Sequence, residues 1–395
     1  MKLVYIVETY TEGLGYIDNV LPIELARLGV DVHIVTCRLP PYYQNSMAFF
    51  GSLLEKRTCS SETNNSGVTI HTMPYTSVFG RVFIKGFLRV LKDIDPDVVI
   101  VRGISSPVLG QAAIAKILLR YKLFTSTGQA YSAISRAVSR GGFFSRARLA
   151  NFFSRYLLGR ILSLFVSQCI ASSEDGGDAV VEFYGVPRRK VTVISLGVDT
   201  EKFFPVSDGK HLIERNKVRN RLGIPMHDIV CIWTGRMTGH KYLRVLAEAV
   251  EDLNREGHAF TALFVGDGPE AKDLEGYSKS IHIPFMLWVE LPPIYRAADI
   301  AVWPRSITTS TLDASASGLP VIMSEGERAT ERWQGIGSAY IEGSVESLKK
   351  ELLKFLEEDV RRTTGQAAAA KMKSQYSWTT ISKKFLNLFS IFDLS

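Results

Sequence analysis

The chain has 395 residues, 46% apolar and 22% charged, a balance that excludes a disordered or fibrous protein and a length that favours two domains over one core. Four scattered cysteines, Cys37, Cys59, Cys169 and Cys231, form no C-x-x-C pair. That excludes a zinc ribbon or a disulfide scaffold and fits a reducing compartment. The net charge is +7 and is concentrated in the first half.

In chain order, "KLVYIV" reads as a strand and "YIDNVLPIELARLG" as a helix that stops at Gly29. The apolar start meets Glu8 too early for a signal peptide, and no run reaches the roughly 18 apolar residues of a membrane span. The expectation is a cytoplasmic protein able to lie at the inner face of a membrane. "DVHIVTC", "VTIHTMPY" and "PDVVIVRG" follow as strands, then a helix over "PVLGQAAIAKILLRYK", then strands "SQCIASS" and "VTVISLG". Strands alternating with helices predict a doubly wound parallel sheet.

A joint is expected in "GVDTEKFFPVSDGKH", where Gly, Pro and polar residues gather. Beyond it the pattern restarts. Strands are read in "DIVCIWTG", "FTALFVGDG", "IHIPFMLWV", "DIAVWP" and "LPVIMS", and helices in "KYLRVLAEAVEDLNREG", "ELPPIYRAA" and "TLDASASG". The tail "SWTTISKKFLNLFSIFDLS" is amphipathic, with Ile381, Phe385, Leu386, Leu388 and Phe389 needing a surface. The expected plan is a first domain over 1–195 with the helix 379–395 packed back on it, a linker over 196–210 and a second domain over 211–378. This is an α/β fold of two Rossmann-like domains facing across a cleft, with ligands at the carboxyl ends of the strands. Neither half carries a complete G-x-G-x-x-G with its acidic partner, which argues against a dinucleotide dehydrogenase.

The segment 136–160 holds Arg136, Arg140, Arg146, Arg148, Arg155 and Arg160 with no acid, interleaved with Phe143, Phe144, Phe152 and Phe153. From about Ser145 the spacing suits a helix with one apolar and one basic side. Such a helix either rests on an anionic lipid surface or turns its apolar side to the core and solvates the other. Arg81, Lys85, Arg89 and Lys92 form a smaller cluster. No recognition helix or stacking motif accompanies these charges, so no nucleic-acid partner is expected.

Two loops carry chemistry. Gly235, Arg236 and Lys241 follow the first strand of the second half, where glycine admits a close ligand and two cations suit a diphosphate. The bland alternative is a loop with two solvated cations. Gly266, Asp267, Gly268 and Pro269 end the next strand, and the bland alternative there is a tight turn.

Together, "VISLGVDTEKFFP" (193–205), "GRMTGHKY" (235–242), "VGDGP" (265–269), "LPPIYRAADIAVWP" (291–304), "LDASASGLPVI" (312–322) and "YSW" (376–378) resemble the retaining glycosyltransferases of the GT-B fold, glycosyltransferase family 4 (glycosyl transferases group 1). The first half agrees more loosely, through "GYIDNVLPIELARLGVDVHIVT". The resemblance implies transfer of a sugar from a nucleotide-diphosphate donor, UDP- or GDP-linked, to a glycan or lipid-linked acceptor in cell-surface polysaccharide or glycolipid synthesis. Arg236 and Lys241 would stabilise the leaving diphosphate, so no metal and no cofactor is expected. Gly235, Gly266, Gly268 and Trp288 of the 284–289 segment would surround the nucleotide, and Asp313 would bind its ribose.

The family has a second carboxylate, a glutamate, upstream in the same loop. Counting back eight positions from Asp313 reaches Arg305 instead, and Ser306, Thr308, Thr309 and Ser310 fill the loop. On the acceptor side, Gly13 and Gly15 would line the cleft, and Thr127 and Gln129 stand where many relatives have a histidine. Rival readings are a catalytically silent GT-B protein that binds a nucleotide sugar or a partner enzyme, and a nucleotide-sugar epimerase.

Overall fold

A computed structural model describes residues 1–12, 15–37, 61–129, 131, 134–135 and 151–392. The chain divides into two compact units, Met1–Leu196 with Ile381–Ser395, and Gly197–Thr380.

In the first unit, in chain order, the elements are β1 (Lys2–Thr9), α1 (Ile17–Arg27), β2 (Asp31–Cys37), β3 (Ser61–Thr63), β4 (Thr69–Met73), the hairpin β5 (Tyr75–Val78) and β6 (Arg81–Ile84), and α2 (Phe87–Ile94). Then come β7 (Val98–Arg102), α3 (Pro107–Leu118), β8 (Lys122–Thr127), α4 (Leu158–Leu162), β9 (Gln168–Ala171), α5 (Glu174–Tyr184) and β10 (Val191–Val193). The sheet runs β10-β9-β8-β7-β1-β2-β4-β3 and is parallel except for the β3–β4 pair. Leu3 through Ile6 and Val98 through Val101 are almost wholly buried. Strands covered on both faces read as continuous apolar runs, which is why they were visible in the sequence.

The second unit holds α6 (Gly209–Leu222), β11 (Ile229–Thr234), α7 (Leu243–Arg255), β12 (Phe260–Val265), α8 (Ala271–Leu274), β13 (Ser280–Ile283), α9 (Pro292–Ala297) and β14 (Ile300–Trp303). It continues through α10 (Ser310–Ala316), β15 (Val321–Ser324), β16 (Gly337–Tyr340), α11 (Val345–Leu353) and α12 (Glu358–Lys371) to α13 (Trp378–Ile391). Its sheet is β13-β12-β11-β14-β15-β16, with every pair parallel.

Residues 197–205, read as part of a joint, are built into this unit. Val198 bridges to Ser377, Gly197 lies against the Trp378 ring, and Phe203 is fully buried. α13 begins in this unit and ends in the first, where Phe385 and Phe389 are buried and the Phe389 ring lies 5.0 Å from that of Phe124.

α6 escapes a hydrophobic-period reading because it is largely polar and buries only Val218 and Arg219. Asp299, ahead of β14, holds it through Arg215 at 2.6 Å and Arg219 at 2.5 Å, and also accepts the Val230 N–H. Among the described residues no helix is long and apolar enough to cross a membrane. Cys37, Cys169 and Cys231 are buried, and burial pushes the Cys169 thiol up to about 12.

Candidate active site

In a doubly wound sheet the ligand crevice opens at the carboxyl edge, where the strand order reverses. In the second unit that point lies between β11 and β14, so the loops after these strands and after β12 form the candidate site.

The loops after β11 and β12 lie backbone against backbone. The Gly235 N–H donates to the Val265 carbonyl at 3.0 Å, and the Met237 N–H to the Asp267 carbonyl at 2.9 Å. A Cβ on Gly266 (φ +133°) would stand 1.9 Å from the Gly235 carbonyl oxygen, and one on Gly268 (φ +156°) 2.0 Å from that of Met237. Only glycine permits this approach. Asp267 accepts the Phe285 N–H at 2.8 Å and so ties in the 284–289 segment.

Arg236 is exposed and Lys241 half-buried. Lys241 was expected at the start of the following helix. It closes a short 3-10 turn, Gly239–Lys241, and α7 begins only after Tyr242 in the left-handed region at φ +56°. His240, beside the motif, is exposed and meets Thr238 Oγ1 at 3.1 Å.

Asp313 sits in the first turn of α10, 7% exposed. Burial, and then the negative charge of Asp199, push its carboxyl up to about 8, against a hydrogen bond from Trp288 that pulls it down. Asp199 belongs to the segment read as a joint. Its carboxylate accepts the Glu201 and Lys202 N–H groups at 3.1 and 3.2 Å and ion-pairs with Lys202. The Lys202 ammonium stands 4.9 Å from the Trp288 ring centre. Phe203 packs between Trp288 and Tyr295, with centroids 5.5 and 5.8 Å away.

Much of the "YRAAD" motif is structural. The Tyr295 hydroxyl meets Thr234 Oγ1 at 2.6 Å, pinning the end of β11, and also reaches the Ser310 carbonyl at 3.4 Å. Arg296 pairs with Glu214 at 2.7 Å and lies over Phe204.

The loop over 304–309 holds the least expected geometry. Ser306 is buried, yet it occupies the left-handed region at φ +64°, which non-glycine residues rarely adopt. Its N–H donates to Glu327 Oε1 at 2.9 Å, and its carbonyl accepts from Lys241 Nζ at 3.4 Å. The hydroxyls of Ser306 and Thr308 are buried without a hydrogen-bond partner among the described residues. Thr309 and Ser310 are half-buried at the start of α10. Arg305 turns to Glu342, at 3.0 Å, and over the Tyr242 ring, at 4.6 Å. Ser324 holds the other Glu342 oxygen.

Glu327, Glu342 and Asp199 were not singled out from the sequence. Glu327 lies in the charged run "SEGERATER", which reads as a solvated loop. Only its 6% exposure tells otherwise.

In the first unit, Gly13 lies outside the described residues, and Gly15 precedes α1 at φ +69°. Thr127 ends β8, and its hydroxyl accepts the Gln129 N–H at 3.3 Å. Tyr184 donates to the Gln129 side chain, also at 3.3 Å. At this sheet's own reversal, between β1 and β7, Asp18 accepts from Tyr5 at 2.6 Å and pairs with Arg102 at 2.9 Å. That triad was also missed, because its members lie far apart in the chain. Of the basic segment, 136–150 lies outside the described residues. The rest makes a wide turn over Phe152–Leu157 before α4, with Phe152 and Phe153 about half exposed and Leu162 buried.

Comparison with known proteins assigns both halves. Residues 23–202 match the glycosyltransferase family 4 model, and residues 228–358 match the model for glycosyl transferases group 1. The D-inositol 3-phosphate glycosyltransferase of Geodermatophilus obscurus is 29% identical over 195 residues, 44% of this chain and 42% of the relative. The mannosylfructose-phosphate synthase of Agrobacterium fabrum is 27% identical over 259 residues, 60% of this chain and 56% of the relative. The chain spans about half the length of the curated relatives it matches.

Among solved structures, Anabaena HepE in complex with UDP-glucose superposes with a TM-score of 0.70 at 17% identity, covering 99% of both chains. WaaG, a glycosyltransferase involved in lipopolysaccharide biosynthesis, superposes with a TM-score of 0.66 at 14% identity, covering 98% of this chain and 99% of its own. These likenesses show the fold. The two family models cover well over half of the chain between them, and the chain belongs to the group 1, family 4 glycosyltransferases of the GT-B fold.

Proposed function

We propose that this protein transfers a sugar, with retention at the anomeric carbon and without a metal, from a UDP- or GDP-linked donor to a glycan or lipid-linked acceptor. The observation that carries this reading is the pair of glycine turns locked backbone to backbone after β11 and β12, with Arg236 and Lys241 in the first of them. In the reaction the bond from the anomeric carbon to the diphosphate oxygen breaks, and one to the acceptor oxygen forms on the same face. The acceptor proton passes to the departing phosphate. Arg236 and Lys241 supply the positive charge that stabilises the leaving diphosphate. Trp288 and Asp313 take the nucleoside, base and ribose respectively.

Purified protein is expected to be thermally stabilised by one class among uridine, guanosine and adenosine diphosphate sugars, and to turn it over in the presence of a chelator. Arg236→Ala and Lys241→Ala should each cost about 2–4 kcal/mol of transition-state stabilisation in kcat/KM. Near-normal turnover in both variants would overturn the diphosphate assignment.

One observation favours a second reading, a protein that binds the donor without transferring it. Counting back eight positions from Asp313 reaches Arg305 rather than a carboxylate, and Arg305 is ion-paired to Glu342. Calorimetric donor binding with neither hydrolysis nor transfer across a broad acceptor panel would select that reading.

A lipid-side acceptor, and a place at the inner face of a membrane, have support in the first unit. Ile114, Ile117 and Leu118 of α3 are about two-thirds exposed, as is Leu164. Lys116 ties α3 to this neighbourhood by bonding the Phe165 carbonyl at 2.8 Å. Exposed apolar side chains, together with Arg155 and Arg160 in the same unit, suit an anionic lipid surface. Salt-sensitive binding to anionic vesicles is expected, and it should be lost in Ile117→Glu combined with Arg155→Glu. Full binding by that variant would remove the membrane from this reading.

A further inference from the structure

No carboxylate lies between Arg305 and Leu312, and Arg305, eight positions before Asp313, is ion-paired to Glu342. A carboxylate nevertheless reaches the loop from elsewhere in the fold. Glu327, in the turn after β15, is buried, and its Oε1 accepts the N–H of Ser306, the residue next to Arg305.

Three features meet at Ser306. Its backbone is left-handed, a conformation costly for a non-glycine residue that persists only when neighbours impose it. Its carbonyl faces the Lys241 ammonium. Its own hydroxyl, like that of Thr308, is buried and unpartnered among the described residues. An orphaned buried hydroxyl is costly unless a ligand satisfies it.

We propose that Glu327 is the positioning carboxylate of this site. By gripping the Ser306 amide it holds the strained turn that aims the Ser306 carbonyl at Lys241 and keeps the Ser306 and Thr308 hydroxyls free for the hydroxyls of the donor's sugar. The inference rests on the donor-binding reading above and names the part of the donor this loop serves, the hexosyl group rather than the nucleotide. Glu327 acts through Ser306 and does not itself touch the reacting atoms.

The test compares wild type with Glu327→Ala, Glu327→Gln and Ser306→Ala. It measures release of nucleoside diphosphate from UDP-glucose, GDP-mannose and ADP-glucose, and calorimetric binding of the free nucleoside diphosphates. Glutamine keeps an oxygen that can accept the Ser306 N–H; alanine does not. Glu327→Ala is expected to lower kcat for the donor by about 30-fold or more while leaving nucleoside diphosphate affinity within about threefold, and Glu327→Gln to recover most of the loss. Ser306→Ala should lower donor turnover by about tenfold, again sparing the nucleotide.

Unchanged turnover in Glu327→Ala, or a loss that falls equally on nucleotide binding and turnover, overturns the proposal while leaving the donor reading intact. Should Glu327→Ala fail to fold, Glu327→Gln with a wild-type melting point and turnover lowered about 30-fold or more overturns it as well. A wild-type protein that binds none of these nucleotides overturns the donor reading and this inference together.

Discussion

Asp313 is a buried carboxyl beside a second one, Asp199, and the two together raise its affinity for a proton. Its folded value of about 8 lies above the ~4 of an unfolded aspartate. Between these pH values the folded chain keeps a proton that the unfolded chain has released. The stability this contributes is fully present below pH ~4 and is lost as the pH rises through about 8. Asp313→Asn removes the titration, so its unfolding free energy should gain on the wild type steadily from about pH 4 to 8, by ~1.4 kcal/mol per pH unit at most, with its melting temperature rising relative to the wild type in step. Melting curves across that range check this, and parallel curves would show that Asp313 is ionised throughout. The residue itself was legible from its place in "LDASASG". Its environment was not, because Asp199 stands more than a hundred positions earlier, in a stretch that reads as a joint.

At the scale of elements, the site depends on how closely two loops approach. Gly268→Ala places a Cβ 2.0 Å from the Met237 carbonyl at a φ alanine rarely adopts, so the β11 and β12 loops must part. A loss of about 2 kcal/mol or more in unfolding free energy is expected, together with loss of nucleotide binding. Gly209→Ala, at the start of α6 with nothing within 4 Å of its Cβ, should be neutral or stabilising by ~0.5–1 kcal/mol, since alanine favours helix. Chemical denaturation of both variants decides the matter.

Strands β11, β12 and β14 were readable because both faces are buried and every position but Thr234 and Thr261 is apolar. α6 was not, because ion pairs to Asp299 hold it rather than an apolar stripe. Lys241 was found by its motif, but the helix was placed too early. A left-handed Tyr242 intervenes, and side-chain pattern does not announce a single such residue.

For the whole molecule, α13 shows how a pattern constrains without specifying. Its apolar side announced that a surface must cover it, and the partner is the first unit, although the chain reaches it from the second. Phe389→Ala should therefore destabilise the first unit by about 3–5 kcal/mol, whereas Lys384→Ala, on the exposed side, should stay within ~0.5 kcal/mol. Equilibrium unfolding monitored in the two variants checks this.

By itself the sequence determined the two parallel sheets, the family and the loops that carry the cations, because these depend on local period and on short motifs whose spacing is contiguous. Tertiary structure alone decided which carboxylates serve which loop. The charge of Asp199 acts on Asp313, Glu342 takes Arg305, and Glu327 grips Ser306. Each of these interactions joins residues brought together only when parallel strands are laid side by side, and in the sequence an acid in a charged run looks the same whether it is solvated or buried.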